Sequence, residues 1–271
     1  MTTYIRNKKS DLSVLLNDTP EIYYWIGFLI ADGHFSNRNA IKLCLSLQDK
    51  NHIEKFAKLV QYTGEPTTHK NSIGFSVQDK NIVQQIKDKF GISNIKTYKP
   101  IVNLPENDDL FLSFIIGLID GDGNITKVGG NRPDSAIRIK CHNSWLDVLN
   151  KIHIRISIMS ECINNHTPHL INNKYALLSW GHYKIVKYMK KNAIRLNLPI
   201  LERKWSIIDT NYIGKTEKSY FYKKEIYSML LRGFKNKHIC AELNLSSSCV
   251  SQIVKRNKML ELIKQGIEIY E

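Results

Sequence analysis

The chain has 271 residues, 42% of them hydrophobic: enough for one large or two modest domains with real cores, and too apolar for a disordered chain. Its 39 Lys+Arg against 25 Asp+Glu leave a net charge of +14, which favours a polyanion, most simply nucleic acid; the basic residues are spread, with no amphipathic membrane anchor. Five cysteines (Cys44, Cys141, Cys162, Cys240, Cys249) without zinc-ligand spacing, and an N-terminus MTTYIRNKKSDLS without a leader's apolar core, predict an intracellular protein with free thiols and no membrane helix.

A first helix is predicted over about 21–32, ending in Gly27-Phe28-Leu29-Ile30-Ala31-Asp32-Gly33. Two strands follow. In the second, Lys42, Cys44, Ser46 and Gln48 share one face and Ile41, Leu43, Leu45 and Leu47 the other. Asp49 starts a helix over about 50–62 with Ile53, Phe56, Leu59 and Val60 as its apolar stripe. Ser46-Leu47-Gln48-Asp49-Lys50-Asn51 then recurs as Ser76-Val77-Gln78-Asp79-Lys80-Asn81, at the end of another alternating strand and before a helix over about 80–90. Residues 97–109, with Pro100 and Pro105, link this half (1–98) to a second (99–209). There the order repeats: a helix ending at Asp122, strands near 123–128 and 135–142, a helix near 144–157, strands near 161–168 and 174–180, and a helix near 182–195.

Beyond a polar linker at 210–219 the pattern changes. Ile226, Met229 and Leu230 predict a helix ending at Gly233, and Ile239 and Leu243 a short second one. Asn244 suits a turn, and Ser246 or Ser247 can cap a third helix carrying Val250, Ile253 and Val254. Residues 220–271 thus read as a helix-turn-helix, with a plain helical tail as the alternative.

The first helix end recurs as Gly117-Leu118-Ile119-Asp120-Gly121-Asp122-Gly123. Gly33 and Gly123 read as C′ glycines that stop the helices. Asp32 and Asp122 then sit at helix C-termini, where the macrodipole is already negative, so something positive must compensate them. Gly27 and Ala31 lie four apart on one helix, as do Gly117 and Gly121 on the other; small residues at that spacing let two helix backbones pack closely. Such packing brings the two carboxylates together, and a hard divalent cation, Mg²⁺ by preference, resolves their repulsion. A metal between carboxylates and a phosphodiester can activate water and stabilise the leaving oxygen, which points to phosphodiester hydrolysis. Asp-Gly pairs are common turn formers, but the duplication weakens that reading. An EF-hand loop from Asp120 fails, because Ile125 and Asn131 stand where Gly and Glu are required. The wet strand faces are short of acids; in the second half Arg138, Lys140 and His142 share one face, and a basic antiparallel sheet can read base edges in the major groove.

Both motifs, the ordered halves and the joining segment resemble the LAGLIDADG homing endonucleases in their single-chain form, over about residues 21–208. The resemblance implies an α+β fold: two pseudo-symmetric αββαββα halves forming a saddle over duplex DNA, plus the small all-α domain. It implies a monomer that cleaves both strands with Mg²⁺ (Mn²⁺ able to substitute) to leave short 3′ overhangs. It implies Asp32 and Asp122 as metal ligands and catalytic acids, while the earlier motif acid, Asp120 here and Ile30 in the first copy, is not the essential ligand. It adds Gln48, whose second-half counterpart would be Cys141 or His142, and Lys96 and Lys204 beside the active-site water. DNA contacts are expected from His34, Ser36, Arg38, Lys42, Ser46, Ser76, Arg138, Lys140 and Tyr175, and from Ser248, Ser251, Gln252, Lys255 and Arg256 in the helix-turn-helix. Two other functions fit the layout: a DNA-binding transcription regulator that does not cut, and an RNA-binding maturase acting on intron RNA. An intein does not, since no splicing residues flank the core.

Overall fold

The structure, a computed structural model, describes residues 10–93, 95–127, 135–162, 166–211 and 215–264. The N-terminus up to residue 9, Asn131 of the rejected EF-hand loop, part of the strand expected near 161–168 and part of the linker 210–219 lie outside them. The chain divides into two compact units, 1–210 and 211–271.

In the first unit a helix α1 (Pro20–Ala31) leads into β1 (His34–Phe35), β2 (Ala40–Ser46), α2 (Lys50–Leu59), β3 (Thr67–His69), β4 (Ser72–Gln78) and α3 (Lys80–Phe90). The second half repeats this order with α4 (Asp108–Asp122), β5 (Gly123–Lys127), β6 (Ser135–His142), α5 (Leu146–Met159), β7 (His169–Ile171), β8 (Tyr175–Trp180) and α6 (Tyr183–Arg195), and closes with a single turn α7 (Glu202–Trp205). Each half holds one four-stranded antiparallel sheet, ordered β1-β2-β4-β3 and β5-β6-β8-β7. The fold is therefore the doubled αββαββα arrangement expected from the sequence. Its penultimate strand is displaced: β7 forms at His169–Ile171, and 166–168 are not in a strand.

Local chemistry sets the helix starts. Thr19 caps α1 by accepting from the Ile22 N–H, and Pro20 occupies the first turn, where no donor is needed. Asn107 caps α4 by accepting from the Asp109 and Leu110 N–H groups, with Asp108 and Asp109 at the positive end of the dipole. Both α1 and α4 are apolar on nearly every side, so they lie inside the unit, within one hydrophobic cluster shared by the two halves.

These two helices touch backbone to backbone. A Cβ at Gly27 would stand 2.0 Å from the Phe114 carbonyl oxygen, and a Cβ at Gly117 only 1.9 Å from that of Tyr24. A Cβ at Gly121 would meet that of Ala31 at 2.2 Å. The small-residue stripe is thus the seam of the pseudo-twofold.

The second unit has its own core of Ile226, Tyr227, Met229, Ile239, Val250, Val254 and Met259. Its helices are α8 (Lys215–Leu231), α9 (Asn236–Leu243), α10 (Ser247–Arg256) and α11 (Met259–Lys264). Gly233 and Asn244 adopt left-handed conformations after α8 and α9. Helix α8 begins inside the polar stretch expected to be a linker, and α11 adds a helix that its short apolar pattern did not announce.

Gly117→Ala and Gly27→Ala should each lose about 3 kcal/mol or more in chemical denaturation, because overpacking against backbone outweighs the gain of about 1 kcal/mol in helix propensity. Gly181→Ala, with nothing within 4 Å of the added carbon, should leave stability unchanged.

Candidate active site

Helices α1 and α4 end side by side, and each passes directly into a strand. The Asp32 N–H still donates to the Phe28 carbonyl at 2.9 Å, and the Gly33 N–H to Leu29 at 3.0 Å. Gly33 and Gly123 are not left-handed C′ caps, contrary to the expectation: Gly123 is extended (φ −82°, ψ 157°), and neither has positive φ. Space requires them instead. A Cβ at Gly33 would lie 2.6 Å from the Leu29 carbonyl oxygen, and one at Gly123 would lie 2.5 Å from that of Ile119.

The positive charge that two acids at helix C-termini call for comes from two lysines. Lys96 Nζ donates to the Ile30 carbonyl and, at 2.8 Å, to that of Ala31. Lys204 Nζ donates to the carbonyls of Asp120 (2.5 Å), Gly123 (2.8 Å), Ile119 and Gly121 (both 3.2 Å). Each ammonium thus closes the carbonyls its helix leaves open and offsets the negative end of that dipole. Partial burial lowers both lysine pKa values, against the pull of nearby acids: Asp122 and Asp32 for Lys96; Asp120, Asp32 and Asp49 for Lys204.

Asp32 and Asp122 remain open to solvent at the helix ends. Both carboxyls are raised, first by the desolvating protein around them. For Asp122 the next cause is the charge of Asp32, which sets the two acids within electrostatic reach; Lys96 and Lys204 oppose the rise at both. Among the described residues no three His, Cys, Asp or Glu side chains gather as a metal site. A repelling pair of carboxylates fits a hard cation that takes its remaining ligands from water and a phosphodiester, as Mg²⁺ does.

Strand register fixes how the halves correspond. The Leu47 N–H donates to the Asn71 carbonyl and that of Asn143 to Lys174, each just past the last strand pairs, Ser46 with Ser72 and His142 with Tyr175. Ser144 is therefore the counterpart of Gln48, and neither Cys141 nor His142 is. Gln48 itself is exposed in the turn after β2. Of the expected DNA contacts, His34, Arg38, Lys42, Ser46, Ser76, Arg138, Lys140 and Tyr175 all lie exposed, and His34, Lys42 and Ser76 are cross-strand neighbours. Ser36 is half-buried, its Oγ accepting from the Ala40 N–H within the β1–β2 turn. In the second unit Ser248, Ser251, Gln252, Lys255 and Arg256 are exposed on α10, opposite buried Val250 and Val254. Ser246, rather than Ser247, caps that helix by accepting from the Cys249 N–H.

Two long-range networks were not visible in the sequence. Asp120 is fully buried and accepts from Tyr24 Oη at 2.7 Å, Trp205 Nε1 at 2.7 Å and the Leu201 N–H at 2.9 Å. Burial pushes its carboxyl up to about 6, against these three donors. His52, held neutral by burial with a pKa near 3, lies with Nε2 3.1 Å from Tyr24 Oη. Since Tyr24 gives its proton to Asp120, the Nε2–H donates to Tyr24. Asp120 therefore ties α1 and α4 to the turn that carries Lys204; Ile30 in the first copy cannot do this.

The second centres on Arg203, whose Nε and Nη2 each reach a carboxylate oxygen of Asp49 at 2.7 Å, bridging the halves. Asp49 does not cap α2, although its sequence copy Asp79 caps α3 through the Asn81 and Ile82 N–H groups.

Neither a family model nor a curated protein matches the chain. Solved structures do resemble it over most of its length. The LAGLIDADG homing endonuclease I-GzeII in complex with its DNA target covers 94% of this chain and all of its own at 14% identity, with a TM-score of 0.45. The LAGLIDADG meganuclease I-CpaMI bound to uncleaved DNA covers 93% of this chain and all of its own at 13% identity and a TM-score of 0.43. I-SmaMI bound to an uncleaved DNA target in the presence of calcium covers 84% of this chain and 96% of its own at 11% identity and a TM-score of 0.43.

Two outcomes follow from the site. The folded pKa values of Asp32 and Asp122 lie above their unfolded values, so each ionised acid opposes folding. That loss grows as pH rises through the carboxylate range and is complete above the raised values. In chelator at neutral pH, Asp32→Asn and Asp122→Asn should melt above the wild type, and Mg²⁺ or Ca²⁺ should stabilise the wild type only. Asp120→Ala strands three buried donors and should cost about 3 kcal/mol or more in denaturant unfolding.

Proposed function

We propose that the chain is a site-specific, divalent-metal-dependent DNA endonuclease of the LAGLIDADG homing type, cutting both strands to leave short 3′ overhangs. The observation that supports this above all is the pair Asp32 and Asp122. Two acids occupy equivalent ends of two helices in backbone contact, each backed by a lysine on that helix's last carbonyls. A protein seeking stability alone would not keep mutually repelling carboxylates at the negative ends of two dipoles.

In this reading Asp32 and Asp122 hold Mg²⁺, with Mn²⁺ able to replace it. When bound, the metal supplies Lewis acidity toward a phosphodiester oxygen and toward water. The chain's own residues do the rest. Lys96 and Lys204 keep positive charge beside both carboxylates and fix the helix ends that carry them. Gln48 stands at the rim as a polar partner for the sugar-phosphate backbone. His34, Ser36, Arg38, Lys42, Ser46, Ser76, Arg138, Lys140 and Tyr175 offer hydrogen bonds and charge to bases and phosphates, so binding should fall steeply with salt. The second unit acts as a helix-turn-helix, with α10 as its recognition helix presenting Ser248, Ser251, Gln252, Lys255 and Arg256 to a groove.

Full-length protein with Mg²⁺ should linearise a plasmid carrying its target, found by selection from a random duplex library. Asp32→Asn and Asp122→Asn should each reduce the rate by at least a hundredfold while binding persists in Ca²⁺. A wild type that binds its selected duplex tightly yet never cuts it under Mg²⁺ or Mn²⁺ would be a regulator instead, and one that prefers folded intron RNA a maturase.

A further inference from the structure

The two halves differ most where each meets the segment that carries the other's lysine. In the first half Asp49 receives Arg203, and the ion pair lines a small cavity of about 200 Å³ beside the α2 N-terminus. By register the second-half counterpart of Asp49 is Trp145, and the residue before Lys96, matching Arg203, is Ile95. No ion pair can form there. A larger cavity of about 620 Å³ opens there, lined by Thr97, Tyr98, Lys140, His142, Lys174 and Tyr175, with Cys141 among them.

This cavity lies beside the segment that carries Lys96. Thr97 directly follows Lys96, and its carbonyl accepts from Ser144 Oγ at 3.3 Å, which holds the wall against the turn after β6. The Cys141 thiol is pushed up to about 12, first by burial and then by the charge of Asp122. The lining has the chemistry of a base platform. Tyr98 is 63% exposed and meets His142 edge-on at 4.8 Å. Tyr175 is 44% exposed, and Lys140 Nζ stands 4.3 Å from its ring centre. The first half has Ser46 and Ser72 at the positions of His142 and Tyr175, and no ring there.

From this asymmetry we propose that the cavity between Tyr98, His142 and Tyr175 takes one unstacked nucleobase of the DNA strand that runs past Asp122. The rings stack on the base, and Lys140 and Lys174 meet its flanking phosphates. The inference deepens the DNA-cleaving reading and rests on it. The cavity gives the second half a grip on a distorted strand that the first half lacks.

The test uses full-length protein in chelator, so no cleavage is needed. The probe is a short mixed-sequence single-stranded oligodeoxynucleotide carrying one 5-iodo-deoxyuridine. Irradiation should crosslink it to Tyr98, His142 or Tyr175, located by peptide mass spectrometry. Tyr98→Ala and Tyr175→Ala should each weaken binding by about tenfold, with unchanged melting because both rings are exposed. Tyr220→Ala, at an exposed ring of the second unit, should bind as the wild type. Crosslinks confined to other residues, wild-type affinity in both variants, or a preference for the matching RNA oligonucleotide would each overturn the proposal. If the pocket is wrong but the nuclease reading right, the wild type cuts plasmid and takes no crosslink at these three rings. If the nuclease reading is wrong, the crosslink forms and no metal brings cleavage.

Discussion

Everything in the first unit depends on two helix backbones lying in contact. Gly27 and Gly117 remove the two side chains that would hold α1 and α4 apart, each against a carbonyl of the opposite helix. Once the helices run together to their ends, two negative dipole termini and two carboxylates share one small volume. That arrangement is electrostatically unfavourable, and the fold answers it from within: Lys96 and Lys204 return to the open carbonyls of the first and second helix respectively. The lysines settle the dipole ends but leave both carboxyls raised. The remaining imbalance is what a divalent cation would relieve, so the packing seam and the proposed chemistry are one constraint.

Much of this was legible in the sequence because it is periodic or duplicated. The alternation in β2 and β4, the apolar stripes of α2 and α3 and the twin Asp-Gly ends each carry a local signature that tertiary contacts do not override. What was not legible depends on long-range partners. Asp49 and Asp79 sit in nearly identical hexapeptides, yet one caps its helix and the other leaves its cap for Arg203, more than a hundred residues away. Gly33 and Gly123 look like left-handed caps from their place after an apolar run, but what excludes a side chain there is the preceding turn of the same helix. The counterpart of Gln48 could not be found by motif because the second copy has Ser144; only the strand register reveals it.

Asp120 shows how an internal duplication diverges. Its partner position, Ile30, packs as an ordinary core residue, 2% exposed. At the second position the acid survives in the interior because three donors converge on it, and one of them, the Leu201 N–H, belongs to the segment that leads into Lys204. Removing a buried acid from such a network costs more than never having had one. The two lysines therefore do the same work with different support: Lys204 is held by Asp120 and by the Arg203–Asp49 bridge, while Lys96 follows an exposed Ile95 and leads into Tyr98 and the open cavity.

A symmetric dimer could not make this distinction, since every residue would appear twice in the same environment. Joining the halves in one chain frees the equivalent positions to differ. Besides Asp120 against Ile30 inside the helices, differences arose at the periphery of the seam: Asp49 against Trp145, Arg203 against Ile95, Ser72 against Tyr175. The helix contacts, the carboxylates and the lysines stay paired: a Cβ on either glycine would meet the backbone of the opposite helix, and each ammonium closes the open carbonyls of one helix end. Paired acids and lysines at the centre and freedom at the rim would suit the proposed cleavage of two strands whose flanking sequences differ.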